Sequence, residues 1–315
     1  MSLKVCLLVI YNHKFTKNVP KIEKLYGHRF EHIYHLMPFY QGNANNIIPV
    51  FESSACFQGY IAQAQSRLPA SDYYVFIGDD VLLHPDLNAQ NLIETLGLNP
   101  DSGYIKFLIP LEKVSFAWSH KLDVIRKYIA NSPWVTYRDE IPSLAMAIAI
   151  LQAKQIEITG RLSVGNLLAH SFFPMIRREY REYYYEPWRF LEALLFLLKN
   201  RSNLKMPYPL LNGYSDLIVV PASVFEKFYH YCGVFGAMDL FVEVAIPTAL
   251  ALSCPKVVTE ADTAWHGYEM WNVQEKAAFT DKAQSYNYEI SRLFESYFTP
   301  DLLYVHPVKL SQWKV

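Results

Sequence analysis

The stretch Tyr73-Tyr-Val-Phe-Ile-Gly-Asp-Asp-Val-Leu-Leu-His-Pro85 constrains this chain more than any other. It opens as an apolar run of aromatic and β-branched residues, the pattern of a strand buried on both faces in a parallel sheet. The run breaks at Gly78 and delivers two adjacent carboxylates, Asp79 and Asp80. Open α/β sheets collect ligands at the carboxyl ends of their strands, where this pair falls. Successive side chains on an extended backbone point to opposite sides, so one aspartate can reach a metal while the other faces a ribose or holds the loop. Hard carboxylate oxygens suit Mg²⁺ or Mn²⁺, which bind through one or two carboxylates plus the phosphates of a substrate. A Gly-Asp step is also ordinary turn chemistry after a strand, so the surrounding chain has to decide.

Upstream, strands and helices alternate. Residues 5–10 are apolar almost from the start and read as a central strand ending in Tyr11-Asn12-His13. Residues 14–25 read as mixed, then helical after Pro20. Residues 32–38 and 47–51 read as strands and 53–68 as a helix with small residues along it. Downstream, 88–96 reads as a helix and 104–110 as a strand. Such an order is an α/β beginning.

Between residues 112 and 211 the pattern changes. Residues 143–155 form an Ala-rich apolar helical stretch, and Arg177, Arg178 and Arg181 lead into three tyrosines at 183–185. Residues 187–200 read as a clear helix opening on Pro187, with Phe190, Leu191, Leu194, Leu195 and Leu198 on one side. The α/β character returns at Ser215. A strand over 217–220 precedes a helix with capping-box spacing at Ser223 and Glu226 and a stop at Gly233. Gly236-Ala-Met-Asp239 then leads into a second helix through Glu243, bent or broken at Pro247. A strand over 256–259 and the segment Asp262–Gly267 follow, and the tail from Thr280 reads as a surface helix and an extended end.

The expected fold is therefore α/β, a Rossmann-like and mostly parallel central sheet flanked by helices, with a helical insertion. Its divisions are an α/β half over 1–110, the insertion over 111–212, a returning part of the same domain over 213–279, and a C-terminal helix and tail over 280–315.

Composition narrows the partners. With 29 Lys and Arg against 30 Asp and Glu there is no basic field for nucleic acid. Four cysteines, Cys6, Cys56, Cys232 and Cys254, stand singly, which favours reduced buried thiols and a cytoplasmic compartment over disulfides or a zinc site. The apolar run at residues 5–10 is too short for a signal peptide, and no run reaches the length of a membrane span. Basic residues beside aromatics and an amphipathic helix in the middle block are the composition of an element that contacts a membrane surface. The competing reading is a leucine face packed on the sheet, with the arginines paired to neighbouring glutamates.

Three further features lie at the ends of expected elements. Asp239 and Glu243 are four apart, so on one helix they share a face. Asp239 reads either as an N-cap or as a general base for an acceptor hydroxyl. His266, between Trp265 and Gly267, reads as a structural hydrogen-bonder or as a nitrogen ligand completing an Mn²⁺ site.

In this order the features resemble nucleotide-sugar-dependent glycosyltransferases of the GT-A fold. Val5-Cys-Leu-Leu-Val-Ile-Tyr-Asn12 is similar to their first strand, Ser53-Ser-Ala-Cys-Phe-Gln-Gly59 to the segment before the metal strand, and Phe76-Ile-Gly-Asp-Asp80 to their DxD-type strand end. The resemblance covers residues 1–110 and 213–270. It implies a nucleoside-diphosphate-sugar donor, a glycan or lipid-linked acceptor and Mn²⁺ or Mg²⁺. It implies metal binding by Asp80, with Asp79 toward the ribose or the metal and His266 as an added ligand. Tyr11 and Asn12 would line the nucleotide edge, and Asp239 or Glu243 would be the catalytic carboxylate of an inverting enzyme. Inversion is favoured over retention, which the sequence leaves open.

The chain departs from that pattern in three places. Gly-Asp-Asp replaces a spaced Asp-x-Asp, Met238 stands where a second acidic residue often precedes the base, and the second strand ends in Met37-Pro-Phe-Tyr40 rather than an aspartate. Stacking of a base on Tyr11 or Tyr40 is one way to replace that aspartate. Two alternatives stay open, a non-catalytic carbohydrate- or nucleotide-binding protein on a degenerate transferase fold, and a nucleotidyltransferase. The second lacks its usual Gly-rich phosphate loop, since His13-Lys14 follows the first strand without a glycine.

Overall fold

The structure is a computed structural model and describes residues 3–115, 118, 120–133, 136–162, 187–200 and 205–315. Arg177, Arg178, Arg181 and the tyrosines at 183–185 lie outside the described residues.

A seven-stranded sheet organises the chain. Its strands are β1 (Val5–Ile10), β2 (His32–Pro38), β3 (Ile47–Val50), β4 (Tyr73–Gly78), β6 (Ser102–Ile105), β9 (Leu217–Pro221) and β10 (Lys256–Val258). Their spatial order is β10-β6-β9-β4-β1-β2-β3, with every pairing parallel except those of β9 to β4 and β6. This is the mixed α/β architecture expected, a mostly parallel sheet covered on both faces. β1 shows why its sequence is unbroken in hydrophobicity: Cys6, Leu8 and Ile10 enter one core, while Val5, Leu7 and Val9 enter the other.

Two short ladders flank the sheet. β5 (Leu82–Leu83), β11 (His266–Glu269) and β12 (Leu302–His306) form one, in the order β11-β12-β5, and β7 (Ile109–Pro110) pairs with β8 (Leu211–Asn212). The single strand expected over 104–110 is thus two, β6 and β7. The extended part of the tail is β12, buried along its whole length.

The helices are α1 (Val19–Tyr26), α2 (Phe57–Ala64), α3 (Leu92–Thr95), α4 (Lys121–Asn131), α5 (Leu144–Gln152), α6 (Pro187–Lys199), α7 (Ala222–Ala237), α8 (Val242–Ser253), α9 (Val273–Ser285) and α10 (Ile290–Tyr297). Residues of α2, α4, α5, α6, α7 and α8 share one core, and residues of α1, α3, α9 and α10 share the other with β12. The described helices of the middle block, α4, α5 and α6, join the first core.

Helix α7 corrects two local expectations. It runs through Gly233 to Ala237 because that glycine is a packing position, not a stop: a Cβ there would lie 3.3 Å from the Cβ of Ala62 on α2. Gly236 similarly faces Gly59 of α2, so the two helices meet through glycines. Ser223 does not cap the helix. Its hydroxyl instead donates to the carbonyl of Pro100 at 2.6 Å.

Candidate active site at the carboxyl edge of the sheet

β4 ends at Gly78, and Asp79 and Asp80 follow at the carboxyl edge of the parallel strands. The backbone N–H of Asp79 still donates to Ile10 of β1, at 2.9 Å, which fixes the pair against the sheet. Asp79 turns inward. It is buried and accepts from the amide of Asn18, Nδ2 to Oδ2 2.9 Å. Burial, and then the charge of Asp80, push its carboxyl up to about 6, while the Asn18 bond works the other way.

The antiparallel direction of β9 matters here. Its first residues lie at the same edge as the last residues of its parallel neighbours, so Asp216, just before Leu217, arrives beside β4. The Asp216 carbonyl accepts from the N–H of Gly78 at 3.2 Å.

A third element completes the cluster. β12 ends in His306, whose Nε2 stands 3.3 Å from Oδ1 of Asp80 and whose Nδ1 stands 3.5 Å from Oδ2 of Asp216. The hydroxyl of Tyr214 lies 2.8 Å from the same Nδ1, and the N–H of Val308 donates to the carbonyl of Asp80 at 2.6 Å. Burial alone would lower the His306 pKa. The charges of Asp216, Asp80 and Glu269 outweigh that and raise it to about 9, so the imidazole is a cation among carboxylates at neutral pH. Trp271 packs against the rings of both Tyr214 and His306.

Glu243 belongs to the same electrostatic neighbourhood, and the proline behind it explains its setting. Pro247 lies inside α8 and offers no N–H to the carbonyl four residues back. That carbonyl, of Glu243, accepts instead from Gly213 at 3.0 Å and from the Asn212 side chain at 3.3 Å. The first turn of α8 is thereby tied to the loop that carries Tyr214 and Asp216. Burial, reinforced by Asp216, pushes the Glu243 carboxyl up to about 7.

Beside this group Lys106, one residue past β6, binds Glu269 directly, reaches the Gly267 carbonyl at 3.1 Å and stands 3.5 Å from Glu260. The Tyr304 hydroxyl donates to the other oxygen of Glu269.

The sequence-derived candidates distribute unevenly over this geometry. Asp79, Asp80 and Glu243 gather at the edge of the sheet. Asp239 and Glu243 do not share a helix face: α7 ends at Ala237, α8 begins at Val242, and Asp239 sits between them with a φ of 54°. The Asp239 side chain is 66% exposed and ion-paired to Lys127 at 2.8 Å. The imidazole beside Asp80 is His306. His266 opens β11, at the end away from Glu269, and its Nδ1 lies 3.6 Å from Asp301. Tyr11 is fully buried with its hydroxyl 2.9 Å from Nδ1 of His35, so it offers no face for stacking. Asn12 is exposed at the same strand end.

Asp216, His306, Tyr214, Glu269 and Lys106 escaped the sequence reading. One signal was present. Leu302-Leu-Tyr-Val-His306 is an apolar run ending in a polar residue, the same pattern that marks β4.

A divalent cation is the group that the resemblance implies at this edge. Among the described residues no set of three or more His, Cys, Asp or Glu is arranged to hold a metal. Asp80 still fits Mn²⁺ or Mg²⁺, because such ions take one or two carboxylates and complete their shell with water and substrate phosphates; His306 could join it only by giving up its proton as the ion binds. Oδ1 of Asn18, whose amide holds Asp79, and Oγ of Ser215, next to Asp216, are among four buried polar side-chain atoms of the described residues that have no protein partner, the others being Oε1 of Gln58 and the Tyr104 hydroxyl.

No protein-family model matches the sequence, and no curated protein matches it. Among solved structures, the chain is similar to the apo structure of the bifunctional glycosyltransferase WbbM, with a TM-score of 0.35 and 9% identity. The match covers 97% of this chain and 46% of that one, so this chain spans a little under half the length of that protein. Among the described residues no helix is long and apolar enough to cross a membrane.

Proposed function

We propose that the chain is a metal-dependent GT-A-type glycosyltransferase, moving a sugar from a nucleoside-diphosphate sugar to a hydroxyl acceptor in glycan or polysaccharide assembly. The observation that carries this reading is the convergence of Asp80, Asp216 and His306 at the carboxyl edge of a parallel sheet interrupted by antiparallel β9.

In this reading Asp80 would hold the cation, with His306 as a second ligand once it gives up its proton, and Asp79, fixed by Asn18, orients the donor. The cation, when bound, neutralises charge on the leaving nucleoside diphosphate. Glu243 takes the proton of the acceptor hydroxyl. A base whose pKa lies near 7 suits that step, being about half ionised at neutral pH yet basic enough to accept a proton. Asp239 is the lesser candidate because its exposed carboxylate is already paired with Lys127. The course is then inverting, with the hydroxyl attacking the anomeric carbon as the nucleoside diphosphate departs.

A panel of nucleoside diphosphates, each with and without Mn²⁺ or Mg²⁺, tests the reading by thermal shift, followed by donor-hydrolysis assays with the matching nucleotide sugars. A ligand at 100 times its dissociation constant adds about 2.7 kcal/mol to stability, a readily visible shift. If no nucleotide raises the melting temperature with either cation, the proposal fails.

A further inference from the structure

Trp271 brings an exposed aromatic ring to the candidate active site. It lies two residues past β11 and stays 39% exposed, whereas its neighbours Tyr214 and His306 are buried. Its ring meets that of Tyr214 at 90°, with centroids 5.4 Å apart, and that of His306 at 59° and 5.9 Å. The backbone is tied down on both sides. Met270 donates its N–H to the His306 carbonyl at 2.8 Å, and the Trp271 N–H donates to Oε2 of Glu275 at 3.0 Å. Glu275 belongs to the capping box that starts α9. The indole is thus fixed beside the cluster and still offers apolar area to a ligand.

The surroundings select the ligand. Asp80 and Asp216 flank His306, and Lys106, bound to Glu269, lies 6.0 Å from the centroid of the Tyr214 ring. Lys106 also lines a groove of about 380 Å³ that reaches Glu260, Trp265 and His266 past the ends of the parallel pair β6 and β10. An apolar ring bordered by charged hydrogen-bonding groups complements a pyranose, which has a C–H face and a rim of hydroxyls. An acyl chain would leave those charges facing hydrocarbon, which costs free energy. The neighbours also place the ligand on the acceptor side. Tyr214 follows Asn212 and Gly213, which bond to the carbonyl of Glu243, the carboxylate assigned to the acceptor proton.

We infer that Trp271 is the platform on which a sugar ring of the acceptor stacks, so that the acceptor hydroxyl belongs to a pyranoside rather than to a lipid or a peptide. The inference rests on the transferase reading and narrows its acceptor.

Release of nucleoside diphosphate from UDP-glucose, UDP-galactose, UDP-N-acetylglucosamine, GDP-mannose and dTDP-rhamnose tests it. Each donor is incubated with the full chain, with water alone as acceptor and then with methyl pyranosides of glucose, galactose, mannose, rhamnose and N-acetylglucosamine. Wild type is expected to release the nucleotide of one donor faster with at least one methyl pyranoside than with water. For that pyranoside Trp271→Ala is expected to raise KM about tenfold or more with little change in kcat, because a platform holds ground state and transition state alike. The ratio of transfer to hydrolysis at a fixed, subsaturating pyranoside concentration falls by the same factor. Trp271→Phe is expected to keep most of the affinity. Thermal melting checks the fold, and Trp271→Leu, which keeps apolar bulk against Tyr214 without a flat face, replaces the alanine variant if that one does not fold. The inference alone is overturned if a donor is hydrolysed but no methyl pyranoside accelerates its release, or if the folded variant keeps the wild-type KM. It is overturned too if transfer and hydrolysis fall together with their ratio unchanged, which would set the ring against the donor. If wild type hydrolyses none of the donors, the transferase reading fails and the inference falls with it.

Discussion

Nε2 of His306 stands 3.3 Å from Oδ1 of Asp80, although the two residues are far apart in the chain, Asp80 in the turn between β4 and β5 and His306 at the end of β12. The Asp80 carbonyl accepts from Val308, two residues beyond the histidine, so backbone and side chain hold the same pairing. The contact joins the strand-end carboxylate that marks the site in the sequence to an imidazole that does not stand out there.

Ligand exchange at this pair gives the first expectation. Asp80→Asn and His306→Ala should each weaken Mn²⁺-dependent binding of a nucleoside diphosphate by at least about tenfold, and His266→Ala should leave it unchanged. Calorimetric titration with and without Mn²⁺ checks this. A loss in His266→Ala with none in His306→Ala would return the ligand assignment to the sequence-derived one.

Glu243 and Asp239 separate cleanly by rate. Glu243→Gln should lower kcat by about 10²–10⁴-fold with little change in donor affinity, because a general base acts on the acceptor proton. Asp239→Asn should retain most activity. In the wild type the acid limb of the pH–rate profile should rise with an apparent pKa near 7 as Glu243 ionises, then level off. That limb should disappear from the residual activity of Glu243→Gln.

Stability should report His306 independently of activity. Its folded-state pKa, about 9, lies above the ordinary value of 6.5. A raised pKa means that the folded state binds the proton more tightly. The stabilisation is fully present below the unfolded value and is lost as pH rises through about 9. The destabilisation caused by His306→Gln should therefore be larger at about pH 6 than at about pH 9.5 in denaturant melts. An equal difference at both would mean that the imidazole is not held charged by its carboxylates.

Gly213 gives a packing test of how Glu243 is positioned. A Cβ at residue 213 would lie 2.5 Å from the carbonyl oxygen of Phe107 and 3.0 Å from the ring of Pro247. Gly213→Ala should cost about 1–3 kcal/mol and lower kcat by displacing the first turn of α8. Thermal melting and steady-state rates check both effects. Unchanged stability would show that the loop relaxes freely.

Hydrophobic pattern by itself determined the framework. Runs such as Val5–Ile10 and Tyr73–Gly78 are apolar at every position or nearly so, which only a strand buried on both faces requires. That was enough to read an α/β sheet with a carboxylate pair at its edge. Helix boundaries were less legible where a glycine served packing, as at Gly233, since the partner Ala62 lies in a distant part of the chain. Asp239 and Glu243 misled for a related reason. Four-residue spacing implies a shared face only on one continuous helix, and the φ of 54° at Asp239 belongs to a break between two.

The rest was decided by tertiary structure. Asp216 reaches the site because β9 runs antiparallel, a direction that no local pattern encodes. His306 reaches it because β12 is inserted between β11 and β5, bringing the end of the chain to the end of β4. The raised pKa values of Glu243 and Asp79 follow from burial and from like charges brought close by folding, and that of His306 from carboxylates that outweigh its burial. Sequence specifies which residues can carry charge; only the fold sets how far apart those charges stand and how much water lies between them, and on those two quantities their energies depend.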